Sequence, residues 1–480
     1  MTQLAQIQHI VVLMLENRSF DSMLGMLYPK SAGFNGLDGT ESNPDPDGIS
    51  VPVWNVPGLD QATLSIPDPD PGELWVDVNA QLFGTPNVPC PVPVPTMDGF
   101  VKNYRSQASK TPGSYDSKAV MHYFTPQQVP VISQLAQQFA VCDQWFASAP
   151  CQTWPNRFFA HTGTANGYEN NEPPHFPYCM ETIYNQFEQA GIDDWKIYFH
   201  DIAHAHTLAR LWLLSDHFRY YDEFRDSART GNLPSYSFIE PRYFTILRLP
   251  NDQHPPHVVT VGEQLIADIY NCLRAGPAWQ QTMLVIIYDE HGGCYDHVPP
   301  PSATPPTSAP TAPFNFDRYG VRVPAVIVSP YVKQGTVLRS SGIPYDHTSI
   351  IATLRKRFPA LGPPLTCREA AAPDLGAALT LAMPDNLGAA SIQALPYAPS
   401  PTEVAKIQLK PLNGMQRALV HLAANLPDTS AGADFAAAVV QHINDLQLNG
   451  PKPIPPGQDT HVSAAADFVK KQLGNFFRGL

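Results

Sequence analysis

The stretch IQHIVVLMLENRSFDSMLG, residues 7–25, begins as a run of mostly β-branched apolar residues and turns polar at Glu16. Continuous rather than alternating hydrophobicity is typical of a strand covered on both faces, as in a parallel sheet flanked by helices. The abrupt change therefore predicts that a central strand ends at Leu15. The polar residues from Glu16 to Asp21 are then placed at the edge of the sheet.

Two further apolar runs predict buried strands, MLVIIY at residues 283–288 and VPAVIVS at residues 323–329. Helical spacing of apolar residues occurs between them, in residues 131–139 and 262–275. Strands that alternate with helices predict an α/β fold with a central, mostly parallel sheet flanked by helices.

The composition excludes several classes of function. A formal net charge of −13 argues against a nucleic-acid surface, because phosphate backbones are bound by clustered Lys and Arg. The seven cysteines are scattered without a CxxC pair, so no zinc knuckle is indicated. The chain shows no signal peptide and no apolar run long enough for a transmembrane segment. We expect a protein that is cytoplasmic or is secreted by a route that its sequence does not specify.

Proline marks the organisation of the chain, which has 51 of these residues. Residues 36–104 contain repeated X-Pro steps, which disfavour helices, so we expect an extended insertion wrapped over the main domain. A second Pro-rich stretch at residues 299–313 predicts a mobile loop. We place the main domain at residues 1–395. Residues 396–480 return to helical patterns, which predict a helical C-terminal extension.

Polar pairs follow two of the predicted strands. Glu16 and Asn17 follow the first strand, and Asp289 and Glu290 follow residues 283–288. In open α/β sheets ligands bind beyond the carboxyl ends of the strands. Three carboxylates and an amide oxygen at one edge would suit a hard cation such as Mg, Ca or Mn, and nearby histidines would admit Zn or Fe. Either pair taken alone is more often a turn former or a helix cap, and the presence of both pairs favours the metal site.

A hydroxyl stands at the start of a predicted helix in the stretch TWPNR. Pro155 in the first turn and an apolar continuation favour Thr153 as the N-cap of that helix. The same position faces backbone N–H groups and the positive end of the helix dipole, where an anionic phosphate would bind. A metal there would lower the pKa of the hydroxyl, so the cap and a nucleophile are compatible roles.

Three histidines lie next to predicted elements. His200 follows the strand-like WKIYF, His254 lies in NDQHPPH, and His347 lies in YDHTSI ahead of a helix. A lone loop histidine is usually a surface or turn residue. At the edge of this sheet a histidine could instead contact a phosphate oxygen or protonate a leaving alkoxide.

Six motifs occur in sequence order and together resemble the bacterial phosphoesterase family that contains the non-haemolytic phospholipases C and a related acid phosphatase. They are ENRSFD (16–21), TWPNR (153–157), FIEPR (238–242), HPP (254–256), YDEHGGCYDHVPPP (288–301) and YDHTS (345–349). The resemblance extends from residue 7 to about residue 358. It implies an alkaline-phosphatase-like fold and makes residues 1–395 a phosphoesterase catalytic domain.

The resemblance also assigns roles. It implies that a divalent metal ion, Zn, Ca, Mn or Mg, is bound by Glu16, Asn17, Asp289, Glu290 and Thr153. Thr153 would also be the nucleophile, transiently phosphorylated. His254 matches the phosphate-contacting histidine of the family, while His200 and His347 are looser matches. The family often has a further histidine between ENRSFD and the nucleophile; the one present, His122, stands in a different context.

The function that these features favour is that of a phospholipase C. It would cleave a phosphatidylcholine-type lipid to diacylglycerol and a phosphorylated headgroup through a phosphothreonine, with His254 or His200 assisting the leaving alcohol. The alternatives are an acid phosphatase acting on phosphomonoesters and an inactive metal-containing binding protein. We expect a phospholipid or small phosphate ester as the partner, compatible with peripheral membrane contact. Five aromatic residues near the motifs could form a choline cage or belong to the core: Trp145, Trp154, Tyr198, Tyr236 and Tyr243.

Overall fold

The computed structural model describes residues 3–88, 91–108, 116–172, 175–245, 248–309, 314–429 and 434–477. Part of the predicted mobile loop, residues 310–313, lies outside the described residues. The fold is built around one eight-stranded sheet in the order β10-β4-β9-β8-β1-β7-β5-β6, with a separate β2-β3 hairpin. The strands are β1 (His9–Leu15), β2 (Ser42–Pro44), β3 (Ser50–Pro52), β4 (Ala140–Cys142), β5 (Trp195–Phe199), β6 (Phe218–Tyr220), β7 (Tyr236–Ile239), β8 (Thr282–Tyr288), β9 (Ala325–Val328) and β10 (Thr336–Leu338).

The large sheet is mostly parallel. Strand β9 pairs antiparallel with both of its neighbours, β4 and β8, while the other pairs of neighbouring strands in this sheet are parallel. The predicted class, an α/β fold with a mostly parallel sheet flanked by helices, is confirmed. The direction of β9 could not be read from its hydrophobicity, because a strand buried on both faces has the same pattern in either direction.

Strand register brings three strand ends together. Leu15 of β1 lies beside Tyr288 of β8, and Leu13 of β1 lies beside Ile239 of β7. All residues of β8 and all but the first residue of β1 are buried. The residues that follow β1, β7 and β8 therefore share one edge of the sheet.

Helices cover the sheet and form the C-terminal region. They are α1 (Phe20–Leu24), α2 (Trp75–Phe83), α3 (Phe100–Gln107), α4 (Pro130–Gln138), α5 (Thr153–Thr162), α6 (Ile183–Gln189), α7 (Tyr221–Thr230), α8 (Val259–Ala275), α9 (Thr348–Arg357), α10 (Cys367–Ala371), α11 (Pro401–Gln408), α12 (Gly414–Ala424), α13 (Phe435–Asn449) and α14 (Val462–Phe477). The helices predicted at residues 131–139 and 262–275 correspond to α4 and α8. In the part of the chain that the structure describes, no helix combines the length and the apolar character needed to cross a membrane.

The Pro-rich insertion differs from the extended segment that we predicted. Residues 36–104 contain the β2-β3 hairpin, α2 and the start of α3, and they pack around a second hydrophobic core, to which Val120 and Tyr295 from outside the insertion also contribute. The physical reason is the placement of the prolines, which fall in the connecting segments and leave α2 and α3 free of proline. X-Pro steps therefore marked the loops correctly and gave the wrong description of the segments between them.

The C-terminal extension is helical, as expected. Helices α11 to α14 follow residue 400, and α12 packs against α14. Gln416 of α12 donates a hydrogen bond to the backbone carbonyl of Tyr243 at 2.8 Å, so this region is packed on the main domain near the end of β7.

Candidate active site

The edge of the sheet where β1, β7 and β8 end carries a buried group of carboxylates. Glu16 follows β1, Glu240 follows β7, and Asp289 and Glu290 follow β8. All four side chains are fully buried. Buried carboxylates at this density need compensating positive charge, because their mutual repulsion is weakly screened away from water.

One arginine compensates part of this charge. Arg157, in the first turns of α5, reaches Glu16 Oε1 with Nη2 at 2.6 Å and Glu240 Oε2 with Nη1 at 3.3 Å. Its Nε lies 3.3 Å from Asp289 Oδ2. A single cation thus joins the ends of three strands, and it leaves more negative than positive charge in the group.

Asn17 links these strand ends to the Pro-rich insertion. Its backbone has a φ of +50°, and its N–H donates to Asp289 Oδ1 at 2.9 Å. The side-chain Nδ2 donates to Glu290 Oε1 at 2.6 Å and also to Glu73 Oε2. The insertion therefore adds a fifth carboxylate, Glu73, to the group that the strands form.

The protonation behaviour reflects the crowding. Burial raises the pKa of Glu16 to about 7 against the opposing effect of Arg157. Burial, and then the neighbouring charges, raise the pKa of Asp289, Glu290 and Glu73 well above their usual range. Carboxyl groups with these pKa values favour the neutral form unless another cation stabilises their charge.

The predicted metal ligands pass a test of fit. Three of their oxygens, Glu16 Oε2, Asn17 Oδ1 and Thr153 Oγ1, are buried without a hydrogen-bond partner among the described residues. Unpartnered buried polar atoms are rare and costly. Together with the carboxylates of Asp289 and Glu290 they would provide an all-oxygen donor set, which suits a hard divalent cation. The residues present therefore fit a metal ion.

The cap that the sequence favoured for Thr153 is not formed. Gln152 is the N-cap residue and Thr153 is the first residue of α5, with no side-chain capping bond. The hydroxyl of Thr153 is therefore free of the structural role that competed with a catalytic one.

A second acidic group lies nearby but has its own counter-charge. The ligand atoms of Asp21, Asp296 and His297 lie within 4.8 Å of one another. Arg322 contacts Asp21 Oδ1 at 2.9 Å and Asp296 Oδ1 at 3.0 Å, and His297 Nδ1 lies 2.6 Å from Asp21 Oδ2. Because Arg322 contacts both carboxylates and His297 contacts Asp21, the group is already paired, and we assign it a structural role.

His254 lies within the carboxylate group. Its Nδ1 donates to the Pro255 carbonyl at 2.7 Å, which leaves a lone pair on Nε2 in the neutral ring. Nε2 has no hydrogen-bond partner among the described residues and lies 3.8 Å from Glu73 Oε2. Burial lowers the pKa of His254 to about 4.

His347 and His200 lie elsewhere. His347 Nε2 contacts the Asp289 carbonyl at 2.6 Å and its Nδ1 accepts from Trp145 at 3.2 Å, so both nitrogens support the end of β8. His200 Nδ1 donates to the Glu240 carbonyl at 3.1 Å, and its ring stacks on Tyr221 at 4.3 Å. Its contacts place it behind the Glu240 backbone and beside a cavity, and its catalytic role remains a prediction.

His122 is packed between aromatic rings rather than polar groups. Its ring lies 5.0 Å from Trp54 and 4.9 Å from Phe124, and neither nitrogen has a hydrogen-bond partner among the described residues. The contacts of His122 do not include the carboxylates of the edge.

The sequence reasoning missed four residues of the site. Arg157 and Glu240 were inside quoted motifs, TWPNR and FIEPR, and Glu240 could have been found as a carboxylate that follows a strand. His204 is held by Trp154, whose Nε1 donates to His204 Nδ1 at 2.8 Å, and its Nε2 lies 3.2 Å from Glu16 Oε1. Neither His204 nor Glu73 had a local signal, because only the tertiary fold brings them here.

The aromatic residues proposed as a choline cage belong to the core. All five are at most 2% exposed: Trp145, Trp154, Tyr198, Tyr236 and Tyr243. They do not form an accessible cage for a quaternary ammonium group.

Comparison with known proteins supports the resemblance seen in the motifs. The model of the Phosphoesterase family matches residues 7–360. Among solved structures, a protein in the alkaline phosphatase superfamily from Vibrio parahaemolyticus is similar with a TM-score of 0.31 and 11% identity, covering 51% of this chain and 64% of that chain.

Curated relatives come from plants and bacteria. Non-specific phospholipase C3 of Arabidopsis thaliana is 38% identical over 371 residues, covering 73% of this chain and 69% of that protein. Non-specific phospholipase C6 of the same plant is 39% identical over 381 residues, covering 76% and 70%. Phospholipase C A of Mycobacterium tuberculosis is 29% identical over 443 residues, covering 80% and 79%.

Gly292 supports the Asn17 turn, and its substitution should disturb the site. Gly292 has a φ of +59°, and a Cβ there would meet the Asn17 carbonyl oxygen at 2.3 Å. Gly335 has a φ of +72° and open space around it, so it reports backbone strain alone. We expect Gly335→Ala to cost about 1 kcal/mol and Gly292→Ala at least about 2 kcal/mol more, measured by denaturant unfolding. Equal costs would contradict a close contact between Gly292 and Asn17.

The crowding of carboxyl groups predicts that Glu290→Gln changes Tm in opposite directions in the absence and in the presence of a divalent cation. In chelator-treated protein, Glu290→Gln removes a buried carboxyl group that must either carry an unbalanced charge or take up a proton on folding, so we expect its Tm to rise by roughly 1–3 °C. In saturating Mn²⁺ the wild type, with its full ligand set, should become the more stable protein.

Glu369→Gln is the matched control for this prediction. Glu369 is equally buried but is paired with Arg355, so its loss should lower Tm with or without metal. If Glu290→Gln instead lowers Tm in the chelated protein as Glu369→Gln does, the carboxylate group is already neutralised without a cation.

Proposed function

The chain belongs to the phosphoesterase family, and from that membership we propose that it is a metal-dependent phospholipase C that hydrolyses a phospholipid through a phosphothreonine. The observation that carries the proposal is the unpartnered hydroxyl of Thr153. It is buried at the start of α5, next to Gln152, whose side-chain Nε2 donates to Glu73 Oε1 at 3.3 Å. The names of the Arabidopsis and mycobacterial relatives support a phospholipid substrate.

The metal would be held by the oxygens of the strand ends and of Thr153. The residues that would hold it are Glu16, Asn17, Thr153, Asp289 and Glu290. When bound, a divalent cation would lower the pKa of the Thr153 hydroxyl and offset negative charge on the phosphoryl oxygens. The phosphorus NMR assay described below distinguishes between Zn, Ca, Mn and Mg.

The first step is displacement by threonine. The Thr153 hydroxyl releases its proton to water, its Oγ1 forms a bond to phosphorus, and the bond from phosphorus to the diacylglycerol oxygen breaks. Thr153 stands at the positive end of the α5 dipole, which favours the anionic oxygen. Arg157 holds the carboxylates at the ends of β1, β7 and β8 together while the phosphoryl group is transferred.

We assign proton transfer to His254. In its protonated form, which a bound anionic phosphate favours, Nε2 gives a proton to the leaving alcohol. In the second step the neutral Nε2 takes a proton from the water that attacks phosphorus. The bond from phosphorus to Thr153 Oγ1 breaks, and Oγ1 takes a proton back from water to restore the hydroxyl. The hydrogen bond from Nδ1 to the Pro255 carbonyl keeps Nε2 as the exchanging atom throughout.

Substitution of Thr153 tests the nucleophile. Thr153→Val keeps the β-branched shape and removes the hydroxyl, so we expect release of phosphocholine from phosphatidylcholine to fall by at least about 10³-fold. Thr153→Ser restores a hydroxyl and should retain measurable activity. Phosphorus NMR of phosphatidylcholine, phosphatidylethanolamine and p-nitrophenyl phosphate, with Zn²⁺, Ca²⁺, Mn²⁺ or Mg²⁺ added in turn, measures product, headgroup preference and metal preference together.

The outcomes separate the alternatives. Orthophosphate released from p-nitrophenyl phosphate, without hydrolysis of either lipid, would make the protein a phosphatase. Equal rates for wild type and Thr153→Val would contradict Thr153 as the nucleophile. Absence of turnover with all four metals, in protein that binds one of them, would make it a cation-binding protein without hydrolase activity.

A further inference from the structure

A cavity of about 380 Å³ lies where the C-terminal helix α14 meets the ends of β5 and β6. His200, next after β5, and Tyr220, the last residue of β6, form one wall, and α14 contributes the opposite one. The volume falls in the range typical of small-molecule sites. The family match ends at residue 360, so α14 lies outside it. The cavity therefore depends on the part of this chain that the family match does not include.

The lining carries unbalanced positive charge. Arg242, Arg248 and Lys470 line the cavity, and in the part of the chain that the structure describes no carboxylate forms a salt bridge with any of them. One carboxylate, Asp201, also lines it and offsets part of this charge; its oxygens accept hydrogen bonds from the backbone N–H groups of Ile202, Tyr243 and Phe244. In a protein with a formal net charge of −13, a lining with three cations and one carboxylate is unusual and favours an anionic group.

The opposite wall is apolar. Val469 and Leu473 of α14 are each about 1% exposed, and Phe244 is fully buried. Lys470, on the same helix, is exposed at the mouth. The cavity thus combines a cationic opening with an apolar interior. This is the arrangement that suits a charged headgroup attached to an alkyl chain.

A neighbouring cavity is less positive, because three arginines and two aspartates line it. It has a volume of about 780 Å³ and shares Arg242 and Arg248 with the first. Its additional arginine, Arg225, contacts Asp222 Oδ1 at 3.5 Å and Asp268 Oδ2 at 3.1 Å, so that charge is already balanced. The cationic character is therefore concentrated on the side of the shared wall that faces α14.

We propose that the α14 cavity binds a single anionic amphiphile, with its headgroup at Arg242, Arg248 and Lys470 and its alkyl chain against Val469 and Leu473. The anionic group is a carboxylate or a phosphate, which present the same charged oxygens to these side chains. The site is distinct from the carboxylate group. Glu240 lies between them, with its side chain on Arg157 and its backbone carbonyl on His200.

Calorimetric titration of the full chain tests this proposal. The probes are laurate, dodecylphosphonate and the uncharged dodecyl maltoside, each below its micelle concentration. We expect saturable 1:1 binding of laurate or dodecylphosphonate, or of both, and no saturable binding of the maltoside. Preference between the two anions would identify the headgroup as carboxylate or phosphate.

Two adjacent lysines of α14 provide a matched comparison. Lys470→Gln removes a charge from the lining, whereas Lys471→Gln removes the same charge from an exposed residue of the same helix that does not line the cavity. We expect Lys470→Gln to weaken anion binding about tenfold, Arg248→Gln combined with Lys470→Gln about 100-fold, and Lys471→Gln less than about twofold.

Two outcomes would overturn the site. One is an equal effect of Lys470→Gln and Lys471→Gln, which would indicate long-range charge attraction only. The other is binding of dodecyl maltoside as tight as that of the anions. Thr153→Val should bind the probes as wild type does, so failure of this proposal and failure of the hydrolytic mechanism give different results.

Discussion

The structure depends on the contact of one arginine with carboxylates at the ends of three parallel strands. Arg157 joins Glu16, Glu240 and Asp289, and so ties together the ends of β1, β7 and β8 at the edge where chemistry is possible. One buried cation cannot balance this group together with Glu290 and the added carboxylate of the insertion. The fold itself thus creates a demand for further positive charge, and a bound divalent cation would meet it.

The turn after β1 provides an oxygen that could bind such a cation. Asn17 has left-handed backbone geometry, contacts carboxylates from β8 and from the insertion, and still leaves its side-chain oxygen without a partner among the described residues. Gly292 packs directly against it, which explains why the segment after β8 needs a residue without a side chain there. The insertion closes the other side with Glu73, so a segment that interrupts the fold in sequence completes the group in space.

Much of this could be predicted from the sequence because the relevant signals are local. Continuous apolar runs located β1 and β8, and the polar residues that follow them identified Glu16, Asn17, Asp289 and Glu290. Signals that depend on tertiary structure failed. Proline spacing could not show that the insertion folds into helices and delivers Glu73. His200 follows β5 directly yet faces away from the carboxylates, while His204, four residues later, reaches Glu16. The antiparallel direction of β9 also had no local signal.

The central claim is that a divalent cation completes the edge of the sheet. Anomalous diffraction from crystals soaked in Mn²⁺ tests it most directly, because the scattering locates the ion without reference to activity. The account predicts a strong peak at about 2.0–2.6 Å from Glu16 Oε2, Asn17 Oδ1 and Thr153 Oγ1, the range of bonds from hard cations to oxygen. A peak confined to Asp21, Asp296 and His297, or no peak at saturating Mn²⁺, would contradict it.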